Sequence, residues 1–133
     1  MTRMMLLLMA ALLAACASQP GPGPEREAVQ DFVAVRNLEE LDQIRTNTSD
    51  GWHEVNEYYL IYEARRAEYL VEFARACWEL RDQRIVPDRR RDSRTIRSRF
   101  DTIRGCRIDK IYSLTEAESI ELKELGEAPG SRN

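Results

Sequence analysis

Apolar and polar positions divide the chain into three regimes. Residues 4–15 are apolar without a break, behind a single basic residue, Arg3. Twelve such residues are too few to cross a bilayer as a stable helix, but they have the form of a secretion signal. In residues 18–24 the pattern disappears: Ser-Gln-Pro-Gly-Pro-Gly-Pro can neither build a ladder nor bury anything. That composition predicts an extended tether, on the order of 20 Å long at roughly 3 Å per residue. Beyond it, apolar residues return in short clusters among charges, as expected of one small folded unit.

Within that unit, residues 32–35 (Phe-Val-Ala-Val) read as the opening of a strand, and residues 38–44 as a short helical turn. The run of Asn, Thr, Ser, Asp and Gly at 46–51 marks a loop. Residues 52–80 carry two patterns at once. Trp52, Val55, Tyr59, Tyr62, Tyr69, Phe73, Cys77 and Leu80 fit helical spacing, yet 58–62 and 69–73 are aromatic and β-branched runs of strand length. Periodicity alone does not choose between them. Short strands are expected at 85–87, where Pro87 stops the run, within 95–103 and at 107–112. Thr115 is a helix N-cap, followed by Glu116 and Glu118 at the positive end of the dipole. Ile120, Leu122 and Leu125 continue that helix, Gly126 ends it, and the residues beyond fray.

Composition sharpens the boundaries. Without the first 15 residues, 118 remain, with 19 basic and 23 acidic side chains and a net charge of −4. The mature unit is therefore polar, with a modest core. Leu13-Ala14-Ala15-Cys16 resembles the lipobox of bacterial lipoproteins: an aliphatic residue, two small ones, then the Cys that receives a diacylglyceryl group. An ordinary signal peptide that happens to carry a Cys is the competing reading. Two or three acyl chains on Cys16 make a durable anchor, and Ala17 after it favours the outer membrane. The expected layout is a signal peptide at 1–15, lipidated Cys16 and tether at 16–27, a periplasmic domain at 28–126 and a disordered tail at 127–133.

With Cys16 assigned to the lipid, Cys77 and Cys106 remain. In an oxidising compartment they read as one disulfide; a metal pair and a redox pair are the alternatives. A metal site needs more ligands, and His53 is the sole His. A redox pair usually has C-x-x-C spacing, which these residues lack.

Charge is unevenly spread. Residues 81–107 hold 10 Arg and 4 Asp, including Arg89, Arg90, Arg91 and Arg94. Such a block is a candidate site for an anionic polymer, a lipid headgroup or an acidic partner. The reading favoured over it is a solvated face paired with the acidic half, in a chain that uses 18 Arg and only 2 Lys. Nucleic acid is not an expected partner outside the cytoplasm. Catalytic motifs are missing: no G-x-S-x-G, S-x-x-K or H-E-x-x-H, and no phosphate-binding Gly loop. Asp101 and Asp109 are the only acids with a hydrolase reading, and it is the weakest of those weighed. Tyr58, Tyr59, Tyr62, Tyr69 and Trp78 read as sheet core before they read as a binding face.

The order of Tyr69-Leu70-Val71, Cys77-Trp78-Glu79-Leu80, Arg99-Phe100-Asp101-Thr102-Ile103 and Cys106-Arg107-Ile108-Asp109-Lys110-Ile111 resembles a domain-of-unknown-function family of small bacterial envelope proteins, often lipoproteins. The resemblance covers about residues 30–115. It implies a β-hairpin at 58–73 and a Cys77–Cys106 bond, and brings no activity and no catalytic residues.

The expectation is an α+β unit: a small, mostly antiparallel sheet, a short C-terminal helix and one disulfide. Its expected role is that of a non-enzymatic binding or structural module without cofactor or metal, held at the membrane by its lipid. The alternatives are an anion-binding module acting through residues 84–99, for lipopolysaccharide phosphate or an acidic glycan, and, more weakly, a hydrolase.

Overall fold

The computed structural model of the chain describes residues 23–47, 50–81 and 94–125. Cys16, the expected strand at 85–87, Arg89, Arg90, Arg91, Gly126 and the tail lie outside the described residues. In chain order the elements are α1 (Arg26–Arg36), β1 (Glu40–Leu41), β2 (Gln43–Arg45), β3 (Gly51–Asn56), β4 (Tyr59–Glu63), β5 (Glu68–Phe73), a 3-10 turn (Trp78–Leu80), β6 (Thr95–Arg97), β7 (Thr102–Ile103), β8 (Cys106–Leu114) and α2 (Glu116–Glu124). Among the described residues no helix is long and apolar enough to cross a membrane.

The main sheet runs β1-β8-β5-β4-β3, with β7 also on β8, while β2 and β6 form a separate two-stranded ribbon. Every pairing is antiparallel. The expected class therefore holds: an α+β unit, mostly antiparallel, with a short C-terminal helix and a disulfide.

β4 and β5, formed over the runs read at 58–62 and 69–73, resolve the double pattern in favour of a hairpin. Tyr59-Leu60-Ile61-Tyr62 is buried throughout because both faces of the sheet are covered. Alternate residues point to opposite sides. Tyr59, Ile61 and Leu70 meet Val29, Phe32 and Leu122 on the helical side. Leu60, Tyr62, Val71 and Phe73 meet Ile44, Leu80, Ile96 and both disulfide cysteines on the other. A strand buried on both sides loses the clean apolar–polar alternation that marks a half-exposed one.

Two expected elements are overturned. Residues 32–35 belong to α1, not to a strand. Val29, Phe32 and Val33 lie at helical spacing and pack inward, whereas Val35 is 82% exposed. The helix ends where Asn37 turns left-handed (φ 50°), with Asn37 and Leu38 N–H donating back to Ala34 and Val33 carbonyls. Residues 38–44 are not a helical turn but β1 and β2: Leu41 pairs with Ile111 on β8, and Ile44 with Ile96 on β6. The folded unit also starts earlier than residue 28, inside the stretch read as tether, since Pro24 is buried and α1 begins at Arg26.

Turns set the register. Asn56 is 2% exposed at the β3–β4 corner. Its Oδ1 accepts from Tyr58 and Tyr59 N–H at 2.8 and 3.0 Å, and its Nδ2 donates to the Pro24 carbonyl at 3.0 Å. One side chain thus closes the hairpin and holds the incoming chain. Arg104 and Gly105, at φ 53° and 81°, make the two-residue turn from β7 into β8. That turn delivers Cys106 to Cys77, just before the 3-10 turn, with a Cα–Cα distance of 5.8 Å. At the C-terminal helix, the Thr115 side chain accepts from Glu118 N–H and the Glu118 carboxylate accepts from Thr115 N–H, a complete capping box.

Candidate functional site

A polar cleft of about 340 Å³ opens where β2 leads into the next loop and the β4–β5 turn folds over it. Arg45, Arg65 and Arg66 line it together with Asp50 and Tyr69. A second groove of about 270 Å³ shares Arg45 and adds Gln43, Arg94 and Thr95. Arg65 and Arg66 form the tip of the β4–β5 turn, which the Ala64 N–H closes on the Ala67 carbonyl at 3.0 Å.

The acid of this cleft and the two that flank its turn in sequence are already engaged. Asp50 accepts from Asn47 N–H at 2.6 Å and from the Tyr62 hydroxyl at 2.9 Å. Glu63 and Glu68 flank Arg65-Arg66 in sequence, but the Lys123 ammonium on α2 holds both, at 2.7 and 3.2 Å. The Glu63 hydrogen bond, with Glu68 adding to it, raises the Lys123 ammonium above its ordinary value against the opposing effect of burial. Arg45, Arg65 and Arg66 are left without a carboxylate partner among the described residues. Elsewhere arginines pair: Arg36 with Glu121, Arg75 with Glu79, Arg81 with Glu54, Arg97 with Asp101 and Arg99 with Glu40.

The residues singled out in sequence fall in different places. Arg94 is exposed in the groove beside Arg45, and its carbonyl accepts from Thr46 N–H at 2.9 Å. Asp101 is buried, but its carboxylate is spent locally: it accepts from Arg97 N–H at 2.7 Å and meets the Arg97 guanidinium at 3.5 Å. It staples the β6–β7 turn. Asp109 is half-buried on β8, and His53 is exposed on β3. Tyr59 and Tyr62 are core, as expected, while Tyr58 and Tyr69 are half-buried. Trp78 departs from expectation: it is 58% exposed, because the 3-10 turn buries Leu80 instead.

Cys77 and Cys106 are bonded, as expected. Glu79 Oε2 lies 3.1 Å from Cys106 Sγ, and the three side chains have the proximity of a metal site. Sulfurs bonded to each other have no thiolate to offer a metal, so the grouping is a disulfide with a carboxylate against it.

Sequence reading also passed over Glu72, which is buried on the helical side of β5. The Tyr112 hydroxyl lies 3.5 Å from its carboxylate and the Arg26 guanidinium 3.8 Å, the latter stacked over the Tyr58 ring. Burial, then the charge of Glu72, pushes the Tyr112 hydroxyl up to about 12 and Tyr59 higher still. The set joins α1 to the sheet.

The family model for the family of unknown function DUF6491 matches residues 1–128. The chain belongs to the DUF6491 family. No curated protein and no solved structure matches it. The DUF6491 match spans both the apolar N-terminal stretch with Cys16 and the folded unit with Cys77 and Cys106. It carries no assigned activity, so the chemistry of this DUF6491 protein rests on its own residues.

Proposed function

We propose that this DUF6491 protein is a lipid-anchored protein of the outer membrane whose folded unit works as a non-enzymatic binding or scaffolding module facing the periplasm. The observation that carries the reading is Leu13-Ala14-Ala15-Cys16 at the end of the apolar stretch behind Arg3. Two features agree with it. The Cys77–Cys106 bond suits an oxidising compartment, and the buried Asp101 carboxylate is already engaged by Arg97. Lipid attachment is tested by growing cells on labelled palmitate and measuring the intact mass of the purified chain. The expected result is a label and a mass of residues 16–133 plus acyl chains, both lost in Cys16→Ser. A cleaved but unlabelled wild-type chain would overturn the anchor.

A second reading makes the unit an anion binder through Arg89, Arg90, Arg91 and Arg94. It draws support from the position of Arg94 beside Arg45 in the groove next to the cleft. Reversing Arg89, Arg90 and Arg91 to Glu and measuring salt-sensitive binding to lipopolysaccharide tests it; unchanged binding removes that segment from the account.

A further inference from the structure

We propose that the cleft walled by Arg45, Arg65 and Arg66 is a binding site for a phosphate monoester carried on a larger polar molecule. The proposal deepens the binding-module reading and rests on it, though not on the lipid anchor.

Three arginines from two separate elements, β2 and the β4–β5 turn, line one polar space. None has a carboxylate partner among the described residues. This is not an accident of a surface short of acids. Glu63 and Glu68 sit at the base of the same turn, and Lys123 engages both. Asp50, the one carboxylate lining the cleft among the described residues, is committed to a backbone N–H and the Tyr62 hydroxyl. Glu63 and Glu68 thus turn to α2 on the other face of the sheet, and Asp50 is held by its own neighbours, which leaves the arginines of the cleft facing no uncommitted acid among the described residues.

Guanidinium offers fixed pairs of N–H donors that match the oxygens of phosphate, and it keeps its charge at any physiological pH. Donors converging from different elements suit an anion with several oxygens and two negative charges better than a single planar carboxylate. The cleft, about 340 Å³, is larger than inorganic phosphate alone requires, and the adjoining groove continues it past Arg45 to Gln43 and Thr95. The ligand therefore extends beyond its phosphate, and polar linings favour hydroxyl-bearing groups there.

The test uses the full chain purified in detergent, with its disulfide intact. Glucose 6-phosphate and inorganic phosphate are titrated calorimetrically, with glucose as the uncharged control. The expected result is saturable binding of glucose 6-phosphate, tighter than inorganic phosphate. Arg65→Gln/Arg66→Gln weakens it at least tenfold without changing the circular dichroism spectrum. Arg75→Gln/Arg81→Gln, which removes the same charge elsewhere, leaves it within twofold. Should the turn variant fail to fold, Arg45→Gln provides the same reading from β2. A parallel arm offers phosphatidylcholine vesicles with and without phosphatidic acid. Binding confined to phosphatidic acid and lost in the same variants assigns the phosphate to a lipid headgroup and equally supports the site. No saturable binding of any phosphate probe, or equal weakening by both double variants, overturns it. Release of inorganic phosphate from glucose 6-phosphate would sink the non-enzymatic reading while leaving the site in place.

Discussion

At the residue scale, two polar side chains carry more of the structure than their chemistry announces. Asn56 satisfies the N–H groups of half-buried Tyr58 and buried Tyr59 and one buried carbonyl. Replacing it with Ala strands those groups away from water, at about 2–3 kcal/mol. Denaturant unfolding of Asn56→Ala should show that loss; an unchanged midpoint would mean that water enters the corner freely. Glu79 acts on the disulfide. The Arg75 guanidinium beside it holds its carboxyl below the usual carboxylate range, so it is charged at neutral pH. A negative charge 3.1 Å from Cys106 Sγ disfavours the thiolate that must leave during reduction and repels an incoming one. Glu79→Gln should therefore be reduced by dithiothreitol several-fold faster than the wild type, with the same product mass. Equal rates would show that burial alone protects the bond.

At the element scale, the decisive contact is that of α2 with the β4–β5 turn. Lys123→Met leaves Glu63 and Glu68, which flank Arg65 and Arg66 in sequence, without their ammonium. Two consequences are expected together: a small loss of stability, about 1 kcal/mol for partly exposed pairs, and a larger, several-fold loss of phosphate affinity. Loss of stability without loss of affinity would show that the acids do not reach the arginines. This contact also marks where sequence reading stops. The start of α2 was legible because Thr115, Glu116 and Glu118 are a local signal. The hairpin was legible only with the family resemblance, because strands buried on both faces hide their period. α1 is misread because Phe32-Val33-Ala34-Val35 is strand-like by propensity, while the Val29–Phe32–Val33 stripe that decides the matter begins three residues before that run. β1 and β2 were missed because strands of two and three residues owe their shape to β8 and β6 rather than to themselves. Of the groove beside the cleft, Arg94 lies in a visible arginine block. Arg45, Arg65 and Arg66 are scattered singly or in pairs, and only the fold shows that Lys123 has taken their neighbours.

At the scale of the whole molecule, the sheet holds two cores of different character. The disulfide side is apolar and cross-linked, whereas the helical side contains Glu72, Tyr59 and Tyr112 beneath α1. That difference predicts which layer fails first in alkali. The Tyr112 hydroxyl is pushed up to about 12, from an unfolded value of about 10. A group whose folded value is raised stabilises the fold fully below the unfolded value, and the contribution is lost as pH rises through the folded one. Stability should thus hold to about pH 10 and decline towards about pH 12. Ionised Tyr112 would place a second negative charge against Glu72, with Arg26, 3.8 Å from Glu72, the nearby cation. The expected signature is a rise in phenolate absorbance that coincides with loss of helical circular dichroism, while the disulfide keeps the other core together. Tyr112→Phe, which removes the proton but keeps the ring, should move that transition to higher pH. If phenolate absorbance rose fully near pH 10 with the helical signal intact, the tyrosines would be solvated, and the helices would be held to the sheet by apolar contact alone.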